Sequence, residues 1–308
     1  MNIVVTGGSS GIGYVLTRYL AYYTGTVYTC SRSKENPHKK MRNVHYFPTD
    51  LSKVQEIKNF IVQLPKKIDV IILNAAIVGI PEVDGGNSKD LLWRVNVEAN
   101  VQLITECLPR MKNGKIVFIS SGTVSLEDLD ARLVPYVEAK KFVEDFLVKT
   151  VPPEIDLLVL RPGVVATRLH SNLAEKAGGK IGERHISAKE NKTSYKPIWI
   201  AYVVYLWIGK QIKLNKIHSI TPEEADAYNI DSKASMEVIQ NVKFQFGIIT
   251  NLNGDVNLKE TLSIAGFRLL CATVLVLAFP QLFENDSGIG LILLVIILSP
   301  GMFSWFSR

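Results

Sequence analysis

Short apolar, β-branched segments alternate with stretches of helical periodicity through the first half of the chain. Such segments are typical of strands buried on both faces of a parallel sheet, with helices as the crossovers. The predicted strands are residues 3–6, 26–30, 44–48, 70–73, 115–120 and 157–161, and the predicted helices are residues 11–23, 54–64, 88–111 and 135–148. This alternation predicts an α/β fold with a doubly wound parallel sheet, for which residues 216–221 are a candidate last strand.

The composition excludes several classes of protein. With 308 residues, 47% of them hydrophobic and 21% charged, the chain can bury a full-sized core and is not a disordered, collagen-like or coiled-coil sequence. Cys30, Cys107 and Cys271 lie far apart, and the 5 histidines lack zinc-binding spacing, so we predict neither disulfides nor a metal site. The net charge is +6, but Lys and Arg are dispersed, so we expect no nucleic-acid partner. An anionic membrane surface or a phosphate-bearing cofactor would account for the excess of positive charge.

A glycine-rich turn directly follows the first predicted strand. Residues 6–13 read TGGSSGIG and lead into a predicted helix. Small residues let the backbone approach a pyrophosphate, whose charge is met by free amides at the helix N-terminus. Any tight strand-to-helix turn also favours glycine, so the turn alone is weak evidence. Its position at the first strand of a βαβ series favours a nucleotide site.

The turn resembles that of the short-chain dehydrogenases/reductases, whose spacing is TGxxxGxG, and further motifs of that family follow in order. They are Asp50-Leu51 after the third predicted strand, Asn74-Ala75-Ala76 after the fourth, Asn96 in the next helix, Ser120-Ser121 after the fifth, Tyr136 and Lys140 as YxxxK, and Arg161-Pro162-Gly163 with Thr167 after the sixth. Ala76 replaces the family's usual glycine. The resemblance covers about residues 1–215 and implies a Rossmann-like fold that binds a nicotinamide dinucleotide.

The resemblance also implies which residues contact the cofactor. They are Gly7, Ser9, Ser10, Gly11, Ile12, Gly13, Arg32, Asp50, Leu51, Asn74, Ala75, Tyr136, Lys140, Pro162, Gly163, Val165 and Thr167. After the second strand the chain has Arg32 and no acid before Glu35, and an arginine there suits a 2′-phosphate. We therefore predict NADP(H), with Arg32 as the main phosphate contact and Ser31 or Ser33 assisting. The alternative is a solvated surface arginine.

Tyr136 and Lys140 stand four apart on a predicted helix and so share one face. A free phenol has a pKa near 10, and a neighbouring ammonium favours the phenolate. The resemblance implies that Tyr136 gives its proton to a carbonyl oxygen during reduction, while Lys140 tunes the phenol and binds the ribose. It further implies that Ser121 hydrogen-bonds the substrate oxygen and that Asn96 holds a water linking Lys140 to solvent.

The chain departs from the family pattern at two places, and a further segment is expected to cover the site. Residues 126–133 are predicted to carry a small insertion, which leaves Thr123 as an alternative to Ser121 for the hydroxyl role. Ala139 stands where the family often has serine before the lysine. Residues 164–196 follow the PG motif and are expected to form a mobile substrate lid.

Two apolar runs near the C-terminus, residues 264–283 and 288–306, are joined by a short polar link. They predict a membrane hairpin, either two short spans or a re-entrant loop, and the alternative is a pair of core helices. Basic residues flank the runs and acids occupy the link, which favours a cytosolic catalytic domain. The first predicted strand begins without a preceding signal peptide, so we expect no translocation from the N-terminus. For the membrane that the hairpin would anchor in, we predict the endoplasmic reticulum.

These observations predict three parts: an NADP-binding short-chain dehydrogenase/reductase domain at residues 1–221, a linker or cover at 222–263 and the hairpin at 264–308. Residues 198–208 are predicted as either a core helix or a helix touching the membrane interface. We predict an oxidoreductase acting on a hydrophobic, lipid-like carbonyl or alcohol, such as a 3-ketosphingoid base, ketosteroid, retinal or 3-ketoacyl chain.

Two other classes compete with this prediction. One is a catalytically silent NADP-binding scaffold or sensor, and the other is a membrane-shaping hairpin protein. A likeness to membrane-bound 3-ketosphinganine reductases rests on architecture alone. The family resemblance also implies a homo-oligomer formed through helices at residues 88–111 and 135–148.

Overall fold

The computed structural model describes residues 1–84, 89–190 and 194–220. These residues contain a sheet of seven strands in the order β3-β2-β1-β4-β5-β6-β7, and every neighbouring pair is parallel. The strands are Asn2–Thr6 (β1), Thr26–Ser31 (β2), Val44–Pro48 (β3), Val70–Leu73 (β4), Lys115–Ile119 (β5), Asp156–Arg161 (β6) and Ile217–Ser219 (β7). The predicted Rossmann-like, doubly wound parallel sheet is confirmed.

Helices follow most of the strands. They are Gly11–Tyr23 (α1), Val54–Gln63 (α2), Pro81–Asp84 (α3), Lys89–Trp93 (α4), Ala99–Cys107 (α5), Val134–Thr150 (α6), Arg168–Lys176 (α7), Gly179–Glu190 (α8) and Pro197–Ile208 (α9). The helix predicted over residues 88–111 is found from Lys89 to Arg110 within the described residues, with a π-helical turn at Arg94–Glu98 joining α4 to α5. The segment predicted as a lid contains two helices, α7 and α8, which contact each other.

Helices cover both faces of the sheet. On one side α1 contacts α9, and on the other α2 contacts α5, which contacts α6. Every residue of β4 is buried, which explains why this central strand is a continuous apolar run rather than an alternating one. Helix α9 buries Trp199, Ile200 and Val204, among others, so the described residues support the core-helix interpretation of residues 198–208.

No helix within the described ranges combines the length and apolar character needed to cross a bilayer. The linker at 222–263 and the predicted hairpin at 264–308 lie outside the described residues.

Candidate active site

The sheet order reverses between β1 and β4, where the connections leave in opposite directions. At such a switch point a crevice opens beyond the carboxyl ends of the strands. A cavity of about 700 Å³ lies there. Its walls include these predicted cofactor residues: Gly7, Ser9, Ser10, Gly11, Ile12, Arg32, Asp50, Leu51, Asn74, Ala75, Pro162, Gly163, Val165 and Thr167. Ser121, Tyr136 and Lys140 line the same cavity, whereas Gly13 and Asn96 do not.

The glycine turn is shaped to receive an anion. Gly7 and Gly11 have φ values of 75° and 55°, in the left-handed region that favours glycine. Ser10 is the N-cap of α1 and its side chain makes no capping hydrogen bond, which leaves the first amides of the helix available to a ligand. The turn therefore fits the pyrophosphate of a dinucleotide.

Gly13 does not line the cavity, and its importance lies in the close packing of α1 against the glycine turn. A Cβ atom on Gly13 would lie 2.2 Å from the Gly7 carbonyl oxygen and 2.4 Å from Asn74 Nδ2. The helix can approach the turn only because this side chain is absent. Asn74 is itself fixed, since its Nδ2 donates to the Thr6 carbonyl at 2.9 Å and its main-chain N donates to Thr6 Oγ1 at 2.9 Å.

Arg32 brings a cation to one end of the cavity. The side chain is exposed, and within the described part of the chain it makes no ion pair. The neighbouring hydroxyls have partners: Ser31 Oγ bonds the Tyr46 hydroxyl at 2.6 Å, and Ser33 Oγ donates to the Glu35 carbonyl at 3.1 Å. Arg32 is therefore better placed than either serine to meet a phosphate.

Tyr136 and Lys140 lie side by side on α6 and are buried, 8% and 2% exposed. Lys140 Nζ donates to the Ile119 carbonyl at 2.9 Å and lies 5.7 Å from the centroid of the Tyr136 ring. The Ser121 hydroxyl is hydrogen-bonded to the Tyr136 phenol, and also bonds Thr123 Oγ1 at 2.8 Å. The structure thus brings together the predicted tyrosine, lysine and serine, with Thr123 next to them.

The electrostatics of this group differ from the sequence expectation. Burial raises the pKa of Tyr136 to about 12, against the hydrogen bond from Ser121. Burial also lowers the pKa of Lys140 to about 7. The lysine does not bring the phenol towards neutrality, because burial dominates both groups and the ammonium is held by the Ile119 carbonyl. The phenol therefore keeps its proton at neutral pH, as a proton donor must.

Asn96 lies in the π-helical turn and is 1% exposed. Its Oδ1 accepts from the Ile77 main-chain N at 3.0 Å, and its Nδ2 donates to the Ile77 carbonyl at 2.7 Å. The side chain therefore fixes the segment after β4. Its role in holding a water stays a prediction. The main-chain carbonyl of Asn96 accepts from Asn100 Nδ2 at 2.7 Å.

The other side chains of the cavity wall were not singled out from the sequence, although some of them lie in the segment 164–196 that was predicted as a lid. Its apolar side chains include Ile77, Val78, Val83, Val95, Leu133, Leu169 and Leu173. Its charged side chains include Glu82, Asp84, Lys176 and Arg184. They come from α3, α7, α8 and neighbouring segments, whose sequences carry no motif that separates a cavity wall from an ordinary amphipathic surface.

The predicted insertion is tied to the α7–α8 turn. Arg132 Nη1 donates to the Ala177 carbonyl at 2.5 Å, and its Nη2 donates to the Gly178 carbonyl at 3.2 Å. Asp130 holds the guanidinium through Nε at 3.0 Å and Nη2 at 2.9 Å. The arginine thus meets the negative end of α7. Sequence reasoning missed this contact because its acceptors are main-chain carbonyls, which leave no sequence signal.

Arg132→Gln is expected to loosen the two helices over the cavity. Loss of the two hydrogen bonds to main-chain carbonyls should raise amide exchange rates in α7 and α8 about tenfold. Amide hydrogen exchange of the two helices, measured with NADPH present, tests this increase. Lys180→Gln is the matched control, because Lys180 and its partner Asp128, 3.0 Å away, are both exposed and the loss of such a pair should change exchange little. Equal exchange in wild type and Arg132→Gln would show that the Arg132 contacts do not hold these two helices.

Comparison with known proteins agrees with this geometry. Residues 1–178 match the family model described as short chain dehydrogenase. Dehydrogenase/reductase SDR family member 7B of Xenopus tropicalis is 26% identical over 244 residues, which cover 71% of this chain and 78% of that protein. Polyprenol dehydrogenase of Danio rerio is 26% identical, covering 56% of this chain and 64% of its own length. Retinol dehydrogenase 13 of Mus musculus is 24% identical, covering 60% and 62%.

Solved structures share the fold. A short chain dehydrogenase/reductase from Saccharomyces cerevisiae aligns with a TM-score of 0.63 at 24% identity, covering 73% of this chain and 98% of that one. A short chain dehydrogenase from Burkholderia cenocepacia in complex with NADP aligns with a TM-score of 0.57 at 20% identity, covering 73% and 97%. At these identities the likeness shows the fold.

Proposed function

The chain belongs to the short-chain dehydrogenase family, and from this premise we propose that it is an NADP(H)-dependent enzyme that reduces the carbonyl group of a hydrophobic substrate. One observation carries the proposal: the Tyr136 phenol is hydrogen-bonded to Ser121 beside Lys140, in the cavity that the glycine turn opens into. Family membership by itself supports an oxidoreductase acting on an alcohol or carbonyl. The choice of cofactor, the substrate and the direction belong to the proposal.

Each reacting residue has a part in the proposed reduction. The bound nicotinamide supplies the hydride. Tyr136 donates its proton to the carbonyl oxygen, for which its high pKa keeps the phenol protonated. Ser121 donates a hydrogen bond to the same oxygen and so fixes its position. Lys140 binds the ribose hydroxyls and returns a proton to the phenol. The joint presence of these groups disfavours the catalytically silent scaffold or sensor.

NADP(H) is the proposed cofactor because Arg32 stands after β2, where an acid would favour NAD. Solved structures of this fold hold either NADP or NADH, so the choice between them rests on Arg32. The amides of the glycine turn would hold the pyrophosphate, and Arg32 the 2′-phosphate. Asp50 and Leu51 would contact the adenine, and Thr167 and Val165 the nicotinamide end.

Arg32→Gln is expected to weaken the use of NADPH specifically. Loss of charge-assisted hydrogen bonds to a phosphate should reduce kcat/KM for NADPH about 30- to 100-fold and leave the value for NADH nearly unchanged. Lys34→Gln, on the same exposed segment but outside the cavity wall, is the control. A wild-type preference for NADH, or an Arg32→Gln enzyme whose kcat/KM for NADPH is unchanged, would defeat the assignment.

The proposed substrate is a lipid-like ketone or aldehyde. The apolar wall formed by Val83, Leu133 and Leu173 supports a hydrocarbon portion. The relatives named polyprenol dehydrogenase and retinol dehydrogenase 13 act, by their names, on hydrophobic alcohols. A 3-ketosphingoid base stays among the proposed substrates on architecture alone. Lipid extracts from cells lacking the protein, searched for an accumulating ketone, test the substrate class.

Two proposals concern the surroundings of the enzyme. We place it at the cytosolic face of the endoplasmic reticulum membrane, on the strength of the two apolar runs in residues 264–308. We also propose a homo-oligomer formed through α4 and α6. Trp93 and Phe142 support it, since they are 39% and 46% exposed and their ring centroids lie 5.3 Å apart on these helices.

A further inference from the structure

A buried carboxylate lies one helical turn beyond Lys140. Glu144 is 3% exposed and belongs to none of the sequence motifs of the site. Tyr136, Lys140 and Glu144 follow one another at four-residue spacing on α6, so they share one face of the helix. A carboxylate is rarely buried unless its charge is compensated. The groups that compensate it therefore indicate what it does.

Glu144 is compensated by residues at the ends of two strands. Ser120, just after β5, donates from Oγ to Glu144 Oε1 at 2.5 Å. Arg161, the last residue of β6, donates from Nε to Oε1 at 2.9 Å and from Nη2 to Oε2. These partners immediately precede Ser121 and Pro162, which line the cavity. The Glu144 carboxylate thus connects α6, which carries Tyr136 and Lys140, to the ends of β5 and β6 beside the cavity.

The same carboxylate acts on Lys140. Burial lowers the pKa of the lysine to about 7, and the negative charge of Glu144 opposes that effect. Among the described residues, the other polar groups around this site include the Tyr136 phenol with Ser121, the Ile119 carbonyl on β5, Arg161 on β6 and Asp84 on α3. Arg161 forms an ion pair with Glu144, and the negative charge of Asp84 raises the pKa of the Tyr136 phenol. Without Glu144 the ammonium would therefore lose its proton at a lower pH.

We propose that Glu144 is a positioning residue of this site, which holds α6 in register with the ends of β5 and β6 and keeps a negative charge beside the Lys140 ammonium. It acts through Lys140 and the two strand ends, and does not line the cavity itself. The proposal rests on the proposed function, because it assumes that Lys140 meets the ribose of bound NADPH.

Calorimetric titration of NADPH between about pH 6 and pH 9 tests this proposal. In the wild type, affinity should fall as pH rises through the Lys140 pKa of about 7, since an amine is a weaker donor than an ammonium. Glu144→Gln keeps the side-chain size but removes the charge, so this fall should move about one pH unit lower. NADPH should then bind about fivefold more weakly at neutral pH, and the curves should converge at high pH.

Two further variants separate charge from shape. Glu144→Asp keeps the charge and is expected to retain the wild-type pH dependence. Glu138→Gln removes an exposed carboxylate from the same helix and should leave the binding curve unchanged. Because Glu144→Gln leaves the Arg161 guanidinium without its carboxylate partner, the double variant Glu144→Gln/Arg161→Gln restores local neutrality if the single variant does not fold.

Thermal unfolding establishes which variants are folded. A folded Glu144→Gln or double variant whose NADPH curve superimposes on that of the wild type would overturn the proposal. A double variant that fails to fold would also overturn it, because the pair would then serve stability alone. The measurement is of binding, so a wild-type enzyme that binds NADPH but turns over no carbonyl would refute the proposed function and leave this test intact.

Discussion

Tyr136→Phe is expected to lower kcat for carbonyl reduction by about 10³-fold or more, while the affinity for NADPH changes little. Phenylalanine keeps the ring that is buried on α6 and removes only the hydroxyl that carries the proton. The developing negative charge on the substrate oxygen would then meet the Ser121 hydroxyl and no acid. Single-turnover reduction of a reactive carbonyl, followed by NADPH absorbance, measures the loss.

The control for this variant is Tyr28→Phe. Tyr28 lies on β2, stacks on His45 with ring centroids 4.8 Å apart, and is not part of the cavity wall. Turnover by the control should equal that of the wild type. Tyr136→Phe enzyme that retains a tenth of wild-type turnover with unchanged NADPH affinity would show that another group donates the proton.

Gly13→Ala is expected to damage cofactor binding and stability together. The added Cβ would lie 2.2 Å from the Gly7 carbonyl oxygen, so the turn and the first turn of α1 must separate. Such overpacking costs about 3 kcal/mol. For a domain of this size that corresponds to a fall in Tm of about 6 to 12 °C. NADPH affinity should fall about 100-fold, because the displaced amides no longer converge on the pyrophosphate.

Gly182→Ala is the matched substitution. Gly182 lies in α8, and a Cβ there would meet the Ala174 carbonyl oxygen at 3.6 Å, an ordinary contact distance. Alanine also favours the helix, so Tm should be unchanged or slightly higher. Calorimetric melting and NADPH titration of both variants compare the two sites. Wild-type stability and affinity in Gly13→Ala would contradict the packing role assigned to this glycine.

Local patterns predicted the fold well. The six strands named from apolar runs are found within one residue of their predicted ends, because a strand covered on both faces must be apolar throughout. The spacing of Tyr136 and Lys140 placed both on one face of α6 for a similarly local reason. The helix predicted over residues 88–111 is found from Lys89 to Arg110, although nothing in its sequence signals the π-helical turn at Arg94–Glu98.

The site was predicted less completely. The direction of the Tyr136 pKa shift was wrong, since it depends on burial and on which acceptor holds Lys140. The Arg132 contacts to α7 and the Glu144 carboxylate were missed altogether. Arg132 binds main-chain carbonyls, and Glu144 sits on an amphipathic helix where an acid normally faces water.

The sequence by itself determined the order of strands and helices, the turn that can receive a dinucleotide, and the family to which the chain belongs. These depend on periodicity and on motifs within a few residues of one another. Only the tertiary structure decided how strongly the catalytic groups are buried, which carbonyl holds Lys140, and that one carboxylate joins α6 to two strand ends. Those properties arise from residues far apart in sequence, whose contacts and shared exclusion of water exist only after the sheet and its helices have packed.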